Sequence, residues 1–492
     1  MLEDMTFISW RWMILLALAL GYGIAAIALI HALLKARRPQ SALGWAAAII
    51  SLPFVGSFAY FLFGISRVDS RAARLMSDRA ARRLAFLSQH ANLWKEEVPE
   101  LPGVDPENEP LARVGEGKRS SLPLLGGNEV RPLFNGDEAY PVMLEAIRRA
   151  KREIFLCTYI FEGRQAGDAF TDALISAVER GVDVRVLLDG MGSFFSSAWG
   201  KLKKGNVRVE AFLPPRLFPP DFSINLRNHR KILICDEIAF TGGMNIGDGN
   251  LHHVNMADRP DTRRYGQIQD VHFQCTGPVA GFLREAFLMD WAFVTGQDDT
   301  GALLLPSHVG KMDTRIVMDG PGTPNDPMQD LLCGVVCCAR KRITVFTPYF
   351  LPTRELLSAF TCAAGRGVDV QVILPEKLDH VYVGWAAERT LPLLLDSGVR
   401  IFKQPPPFAH TKLLLIDGNY VCMGSTNLDP RSLSLNFELN VEVFSHELCM
   451  QLEAYAENIK SGSREVTPEE LKNLSVPRQL RNAAAWIFSP YM

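Results

Sequence analysis

The chain lacks an excess of charge of either sign: 52 lysines and arginines stand against 54 aspartates and glutamates over 492 residues. That balance excludes capture of a polyanion by bulk charge, though it permits a local basic pocket. The nine cysteines form no paired C-x-x-C and no secreted disulfide framework; most sit in apolar stretches such as EIFLCTYIF and DLLCGVVCCARK. They read as reduced, packed thiols, with Cys333, Cys337 and Cys338 sharing one apolar helix. His252 and His253 in LHHVNM are adjacent, and adjacent side chains rarely chelate one ion; with no carboxylate at ligand spacing they read as loop residues, so no metal is expected. A cleavable leader is not expected either, because the opening MLEDMTF is acidic and a second uncharged run follows the first at once.

What the N-terminus does have is two long uncharged runs. Residues 13–34 match the ~20 residues that a helix needs to cross a bilayer. Residues 41–65 form a second run, interrupted by LPFVG, where Pro53 and Gly56 predict either a broken span or a shallow re-entrant hairpin. Lys35, Arg37 and Arg38 follow the first run, and Arg67, Arg71, Arg74, Arg79, Arg82 and Arg83 follow the second. The larger basic cluster predicts a cytoplasmic position for the rest of the chain. Residues 1–66 therefore read as a membrane anchor, and 67–120 as a linker that is first basic, then acidic and proline-rich (EEVPELPGVDPENEP).

From there the sequence repeats itself. AVERGVDVRVLLD is matched by AAGRGVDVQVILP, each a helix that ends at Gly181 or Gly367 and feeds a buried strand. REIFLCTYIFEG is matched by KRITVFTPYFLP, and HRKILICD by HTKLLLID, the latter pair followed by the Gly-rich turns FTGGMNIGD and CMGSTNLDP. The same elements in the same order predict a duplicated α/β domain, 121–300 and 313–492.

HRKILICD and HTKLLLID both fit H-x-K-x-x-x-x-D. Residues i and i+2 of a strand face the same way, so His229 projects with Lys231, and His410 with Lys412. A lysine neutralises the non-bridging oxygens of a phosphate while the histidine beside it attacks phosphorus or moves a proton. A pseudo-twofold between the copies would bring the second histidine from the opposite side, as in-line displacement requires. One such pair is usually a surface pair; two in matched contexts predict a single active site shared by both halves.

The two motifs, with Asn245 and Asn427 in their turns, resemble the phospholipase D superfamily over about 121–461. TPYFLPTRELLSAFTCAAGRGVDVQVILP, VGWAAERT and GSTNLDPRSLSLNFELN, with RRPQSALGW and LPFVGSFAYFLFG near the N-terminus, are similar to bacterial cardiolipin synthases, so the likeness spans nearly the whole chain. The resemblance implies a duplicated phospholipase D-like α/β/α sandwich behind an N-terminal transmembrane hairpin, multi-pass in a bacterial inner membrane. It implies phosphatidyl transfer between two phosphatidylglycerol molecules, giving cardiolipin and glycerol without metal or cofactor. His229 would carry a phosphatidyl-histidine while His410 protonates the departing glycerol and then deprotonates the acceptor hydroxyl. Lys231, Lys412, Asn245, Asn427 and Ser425 would hold the phosphoryl oxygens, and Asp270 and Glu438 would orient the histidines. Asp236 and Asp417 complete the catalytic motifs, more as structural members than as proton carriers. One departure stands out: the first half has Gly243 where the second has Ser425.

The partners implied are membrane phospholipids and the bilayer, with no nucleic acid; the oligomeric state is not legible. A phospholipase D passing the phosphatidyl group to water, phosphatidylethanolamine or another alcohol shares the first half-reaction, so the motifs do not separate it. A phosphodiesterase nuclease would want a basic groove with stacking aromatics and no anchor. A non-catalytic scaffold would carry degraded motifs. FLPPRLFPPDF and KQPPPFAH, the stiffened segments before the two motifs, are expected as interfacial loops; the tail LRNAAAWIFSPYM reads either as interfacial, through Trp486, Phe488 and Tyr491, or as core packing.

Overall fold

The computed structural model describes residues 2–35, 39–61, 106–116, 122–215, 226–253, 266–297, 306–320 and 326–489, without the side chains of 2–11 and Gln40. The chain divides into two compact units, Met1–Arg71 and Ala72–Met492.

In the first unit a helix covers Leu2–Lys35, and its stretch Trp12–Lys35 is long and apolar enough to cross a membrane. The second apolar run forms two shorter helices, Pro39–Ser51 and Pro53–Ala59, with Leu52 out of helical geometry between them. The break falls at Pro53, which has no N–H to continue the ladder. Both short helices fold back on the first, burying Ala25, Ala28 and Ala32 against Ile49 and Tyr60. Small residues allow this approach: a Cβ on Gly21 would lie 1.9 Å from the Phe54 ring. His31 Nδ1 and Tyr60 Oη, 2.7 Å apart, link the helices. A packed hairpin is thus present, but only its first arm has the length of a span among the described residues. Arg37, Arg38 and the arginines from Arg67 to Arg83 lie outside the described residues.

Most of the acidic linker also lies outside them, but Glu109–Gly115 is helical and differs from the exposed connection expected there. Its sequence EPLARVG places Leu111 and Ala112 in the core beside the helix Pro327–Cys338, with Val114 packed against it. The Ala112 carbonyl accepts from buried Arg315 at 2.8 Å.

The second unit is built on one sheet. Its strands are β1 (Leu125–Phe134), β2 (Glu153–Thr158), β3 (Asp183–Asp189), β4 (Arg208–Phe212), β5 (Ile232–Cys235), β6 (Ile238–Gly242) and β8 (Val271–Thr276) in one half. In the other they are β9 (Met312–Asp319), β10 (Arg342–Phe346), β11 (Asp369–Pro375), β12 (Arg400–Gln404), β14 (Leu413–Ile416), β15 (Tyr420–Gly424), β16 (Glu438–Phe444) and β17 (Arg464–Glu465). Two short strands, β7 (Ile268–Gln269) and β13 (Phe408–Ala409), pair separately. The halves read β4-β3-β2-β5-β6-β8-β1 and β12-β11-β10-β14-β15-β16-β9, and they meet where β1 pairs β9; β17 extends one edge. The sheet order is the same from either edge, which is the duplication seen in the sequence.

Within each half the crossover helices, Gln165–Glu179 and Arg354–Gly365, make parallel pairs of β2 with β3 and β10 with β11. Gly181 and Gly367 end them at φ 84° and 87°, conformations that cost glycine little. On β2, Ile154 and Leu156 share a core with Phe170 and Leu174 of the crossover helix Gln165–Glu179, while Phe155 faces the other side and stacks on Phe287 of the helix Pro278–Thr295 at 5.0 Å. Helices therefore cover both faces. Of the cysteines, Cys157, Cys235, Cys275, Cys422 and Cys449 are buried, whereas Cys337 and Cys362 are exposed, so the packing expected on helix Pro327–Cys338 holds only in part for its three thiols.

Candidate active site

β5 and β14 run antiparallel to β2 and β10, so their amino ends share an edge with the carboxyl ends of the parallel strands. That edge is where open α/β sheets bind ligands. ILIC and LLLI are wholly buried, and the histidines stand just before them. Each histidine segment is then stitched to the opposite half. The backbone of His229 donates to Phe437 O at 2.9 Å, and that of Phe437 donates to Arg227 O at 2.8 Å. His410 N donates to Gln269 O at 2.8 Å, where β13 runs parallel to β7.

This crossing decides which carboxylate meets which imidazole. His229 Nδ1 lies 3.1 and 3.2 Å from the two carboxylate oxygens of Glu438, and 3.1 Å from Ser425 O. His410 Nδ1 lies 2.8 Å from Asp270 Oδ2. A carboxylate that accepts from Nδ1–H fixes the tautomer with Nε2 unprotonated, the form that attacks phosphorus or takes a proton.

Behind the histidines, the ammonium groups of Lys231 and Lys412 each donate to the carbonyl of their own motif's histidine at 2.6 Å. Burial pushes Lys231 down to about 7 against the pull of Glu438, and Lys412 down to about 8 against Asp270. Burial likewise lowers His229 to about 4, Glu438 opposing and Lys231 assisting, and it lowers His410 together with Lys412. Burial would raise Glu438, but His229, Lys231 and Ser425 outweigh it and hold the carboxyl below its usual range. At neutral pH the site thus offers two neutral imidazoles before a pair of cations that a phosphate would hold charged.

Both histidines open on one cavity of about 330 Å³, with Asn245 and Asn427 in its wall. Asn245 Oδ1 accepts from Ile160 N at 3.1 Å, whereas the buried Oδ1 of Asn427 has no partner among the described residues. Two histidines on one headgroup-sized cavity, each held by a carboxylate of the other half and backed by a lysine, are groups that can act together on a phosphodiester.

Comparison with known proteins agrees with this geometry. The family described as cardiolipin synthase, PLD-like domain, matches residues 143–256 and 334–460, and a phospholipase D-nuclease N-terminal family matches 23–64. Cardiolipin synthase A of Pseudomonas syringae pv. syringae is 31% identical over 480 residues, covering 96% of each chain. Cardiolipin synthase A of Pseudomonas putida is 30% identical over 484 residues, 96% of this chain and 97% of that one. This chain belongs to the cardiolipin synthase family. Among solved structures, phosphatidylserine synthase of Haemophilus influenzae superposes with a TM-score of 0.60 over 79% of this chain and all of that one; at 16% identity this likeness concerns the fold.

Against the family's pattern, the structure places some expected residues elsewhere. Ser425 does not line the cavity: its Oγ donates to Glu438 and accepts from Leu439 N at 3.1 Å, so the hydroxyl braces the carboxylate. Gly243, its counterpart, has no room for a side chain, because a Cβ would sit 2.8 Å from both carboxylate oxygens of Asp270. Asp236 and Asp417 lie at the far ends of β5 and β14. There Asp236 accepts from the backbone of Lys151, Arg152 and Glu153, and Asp417 from that of Arg340, Lys341 and Arg342. They fasten the entries of β2 and β10 and stand apart from the cavity.

Sequence reasoning missed other members of the wall. Tyr159 meets the His229 ring edge-on at 5.2 Å, and the Lys231 ammonium lies 5.7 Å from its centroid. Tyr349, its counterpart, donates to Asp379 at 2.7 Å. The matched TYIF and PYFL carried that signal. Asp429 also lines the cavity, its carboxyl pushed up by burial to about 6. Phe408, from the stiffened segment before the second motif, reaches the cavity and packs 5.9 Å from the His410 ring; the segment before the first lies largely outside the described residues. His252 Nε2 faces Ile268 O at 3.0 Å and His253 pairs with Asp137, as loop residues do. The tail forms a helix, Val476–Ile487, that buries Ala485 but leaves Trp486 and Phe488 exposed; Tyr491 lies outside the described residues.

Proposed function

We propose that this chain is a membrane-associated phosphatidyltransferase that joins two phosphatidylglycerol molecules into cardiolipin and releases glycerol. The observation that carries the reading is the pair of histidines, each held by a carboxylate of the other half, on one cavity with the lysines behind. His229 Nε2 attacks the phosphorus of the first lipid, and His410, which takes up a proton once the anionic phosphodiester lies beside it, delivers that proton to the departing glycerol oxygen. The phosphatidyl group rests on His229. His410, now neutral, takes the proton from the terminal hydroxyl of the second lipid, whose oxygen displaces His229 and forms the second phosphodiester. Lys231 and Lys412 stabilise the charge on the non-bridging oxygens in both steps, with Asn245 and Asn427 beside them. The Trp12–Lys35 helix spans the bilayer, the broken second segment re-enters it, and the catalytic unit faces the cytoplasm.

The test is incubation of the purified full-length protein with phosphatidylglycerol labelled in phosphate and in headgroup glycerol. Phosphate label in cardiolipin with stoichiometric glycerol release is expected. Label accumulating in phosphatidic acid instead would make the enzyme a hydrolase and overturn the reading.

A further inference from the structure

The segments leaving the carboxyl ends of β3 and β11 occupy equivalent places in the two halves. In the first, the loop after Asp189 is tied to the cavity wall: Ser193 Oγ donates to Tyr159 O at 2.9 Å and accepts from Phe161 N at 3.1 Å. Gly192 packs so closely that a Cβ there would lie 2.3 Å from the same carbonyl oxygen. On this tether Phe194 and Phe195 face solvent, 56% and 95% exposed, their rings edge to face at 5.0 Å. In the second half the helix Val381–Ala387 opens with Val381 and Tyr382, 55% and 43% exposed, and Tyr382 also lines the cavity.

Single exposed apolar residues need no explanation. Two anchored clusters at symmetry-equivalent positions beside one cavity do, because all four side chains stay more than two-fifths exposed and apolar surface is costly to keep in water. The occupant follows from the cavity's size. About 330 Å³ suits a headgroup, so the acyl chains of a diacyl lipid stay outside it. Those chains remain in the bilayer only if the rim of the cavity sits on the bilayer. A protein covering the same rim would close the lipid's way in.

We propose that the Phe194–Phe195 loop and the Val381–Tyr382 turn are two prongs that insert into the lipid surface and seat the cavity mouth at headgroup level. The inference rests on the phosphatidyl-transfer reading for its choice of partner. It assigns these four residues to lipid contact, and none of them to the chemistry.

Two measurements on full-length protein in phosphatidylglycerol-containing vesicles test it. In the first, Phe195→Trp adds an indole, and the emission gained over wild type is read by difference. Quenching by bromine-labelled acyl chains with shielding from aqueous iodide is expected; an indole open to iodide and untouched by bromolipid overturns the proposal. In the second, Phe194→Ser/Phe195→Ser is assayed on long-chain phosphatidylglycerol in vesicles and on a short-chain, monomeric phosphatidylglycerol. A fall of about tenfold or more on vesicles alone is expected, and an equal fall on both substrates assigns the phenylalanines to structure instead. If wild type makes no cardiolipin, the functional reading fails by itself, while the fluorescence still decides the insertion.

Discussion

His410 Nδ1 lies 2.8 Å from a carboxylate oxygen of Asp270, a residue 140 positions earlier and in the opposite half. The reciprocal pair, His229 with Glu438, crosses back the other way. Each of these two His–carboxylate pairs takes its histidine from one half and its carboxylate from the other, so the duplication builds one cluster of exchanged parts.

Asp270→Asn and Glu438→Gln should therefore each disable the histidine of the other half. An amide in place of the carboxylate can present its NH2 to Nδ1 and favour the wrong tautomer, and a comparable substitution costs about 10⁴-fold in kcat. Steady-state kinetics with circular dichroism as a folding check would measure it; a loss under fivefold in both variants would contradict the assigned role.

His229→Ala and His410→Ala should each abolish turnover, and the double variant should be no slower than either, because the two act in one cycle. A substrate with a phenolate leaving group removes the need for an acid. With it, His410→Ala should accumulate a phosphatidyl adduct on the peptide containing His229, read by mass spectrometry after a quench without acid. An adduct on the His410 peptide of His229→Ala would reverse the assignment of nucleophile and acid.

The lysines set the alkaline side of the pH profile. Both have lowered folded-state pKa values, about 7 for Lys231 and about 8 for Lys412, and each neutralises phosphate only while protonated. The rate constant kcat/KM, which reports the free enzyme, should fall as pH rises through about 7 to 8. Once bound, the anionic phosphodiester favours the protonated lysines, so kcat should fall at higher pH. Coincident alkaline limbs for the two constants would count against the lysines as their source. His229, lowered to about 4, should leave no loss of nucleophile near pH 6.

Gly243 and Ser425 should respond unequally to exchange. Gly243→Ser drives a side chain into the Asp270 carboxylate, where even a Cβ would come within 2.8 Å, and should displace His410 with it. Ser425→Ala removes one hydrogen bond to Glu438, which keeps His229 and Asn436 as partners. The expected order is a loss of at least a hundredfold for Gly243→Ser and of about tenfold for Ser425→Ala, the latter from a hydrogen bond to a charged group worth about 1.5–3 kcal/mol at most.

Arg230, between His229 and Lys231, ties the first motif into the fold. Its guanidinium pairs with Asp290 at 2.7 Å and donates to Glu438 O at 3.1 Å and Asp319 O at 3.0 Å, binding the first motif to the opposite half. Arg230→Ala leaves Asp290 buried and unpaired and should destabilise the catalytic unit by about 3–5 kcal/mol. Denaturant unfolding of the detergent-solubilised protein would show it, and an unchanged midpoint would refute it.

The amino-acid sequence by itself determined what depends on local order. The uncharged run ahead of Lys35, the proline that breaks the second one, the glycines that end both crossover helices, and the placing of His229 with Lys231 and His410 with Lys412 follow from spacing and residue type, because helix and strand periodicities act over a few residues. Tertiary structure decided what depends on which distant segments meet. The pairing of β7 with β13, and of the residues before β5 with those before β16, joins His410 to Asp270 and His229 to Glu438 across the halves. The family resemblance implied Ser425 as a phosphate ligand; its hydroxyl donates to Glu438 because β15 and β16 lie side by side. Asp236 and Asp417 shared the motif's spacing, but a strand separates their ends from the histidines, and that length removes them from the chemistry. Leu111 and Ala112, within a stretch whose acids and prolines favour solvent, are buried because a groove beside helix Pro327–Cys338 takes them, and no local pattern encodes a groove that forms some 200 residues later.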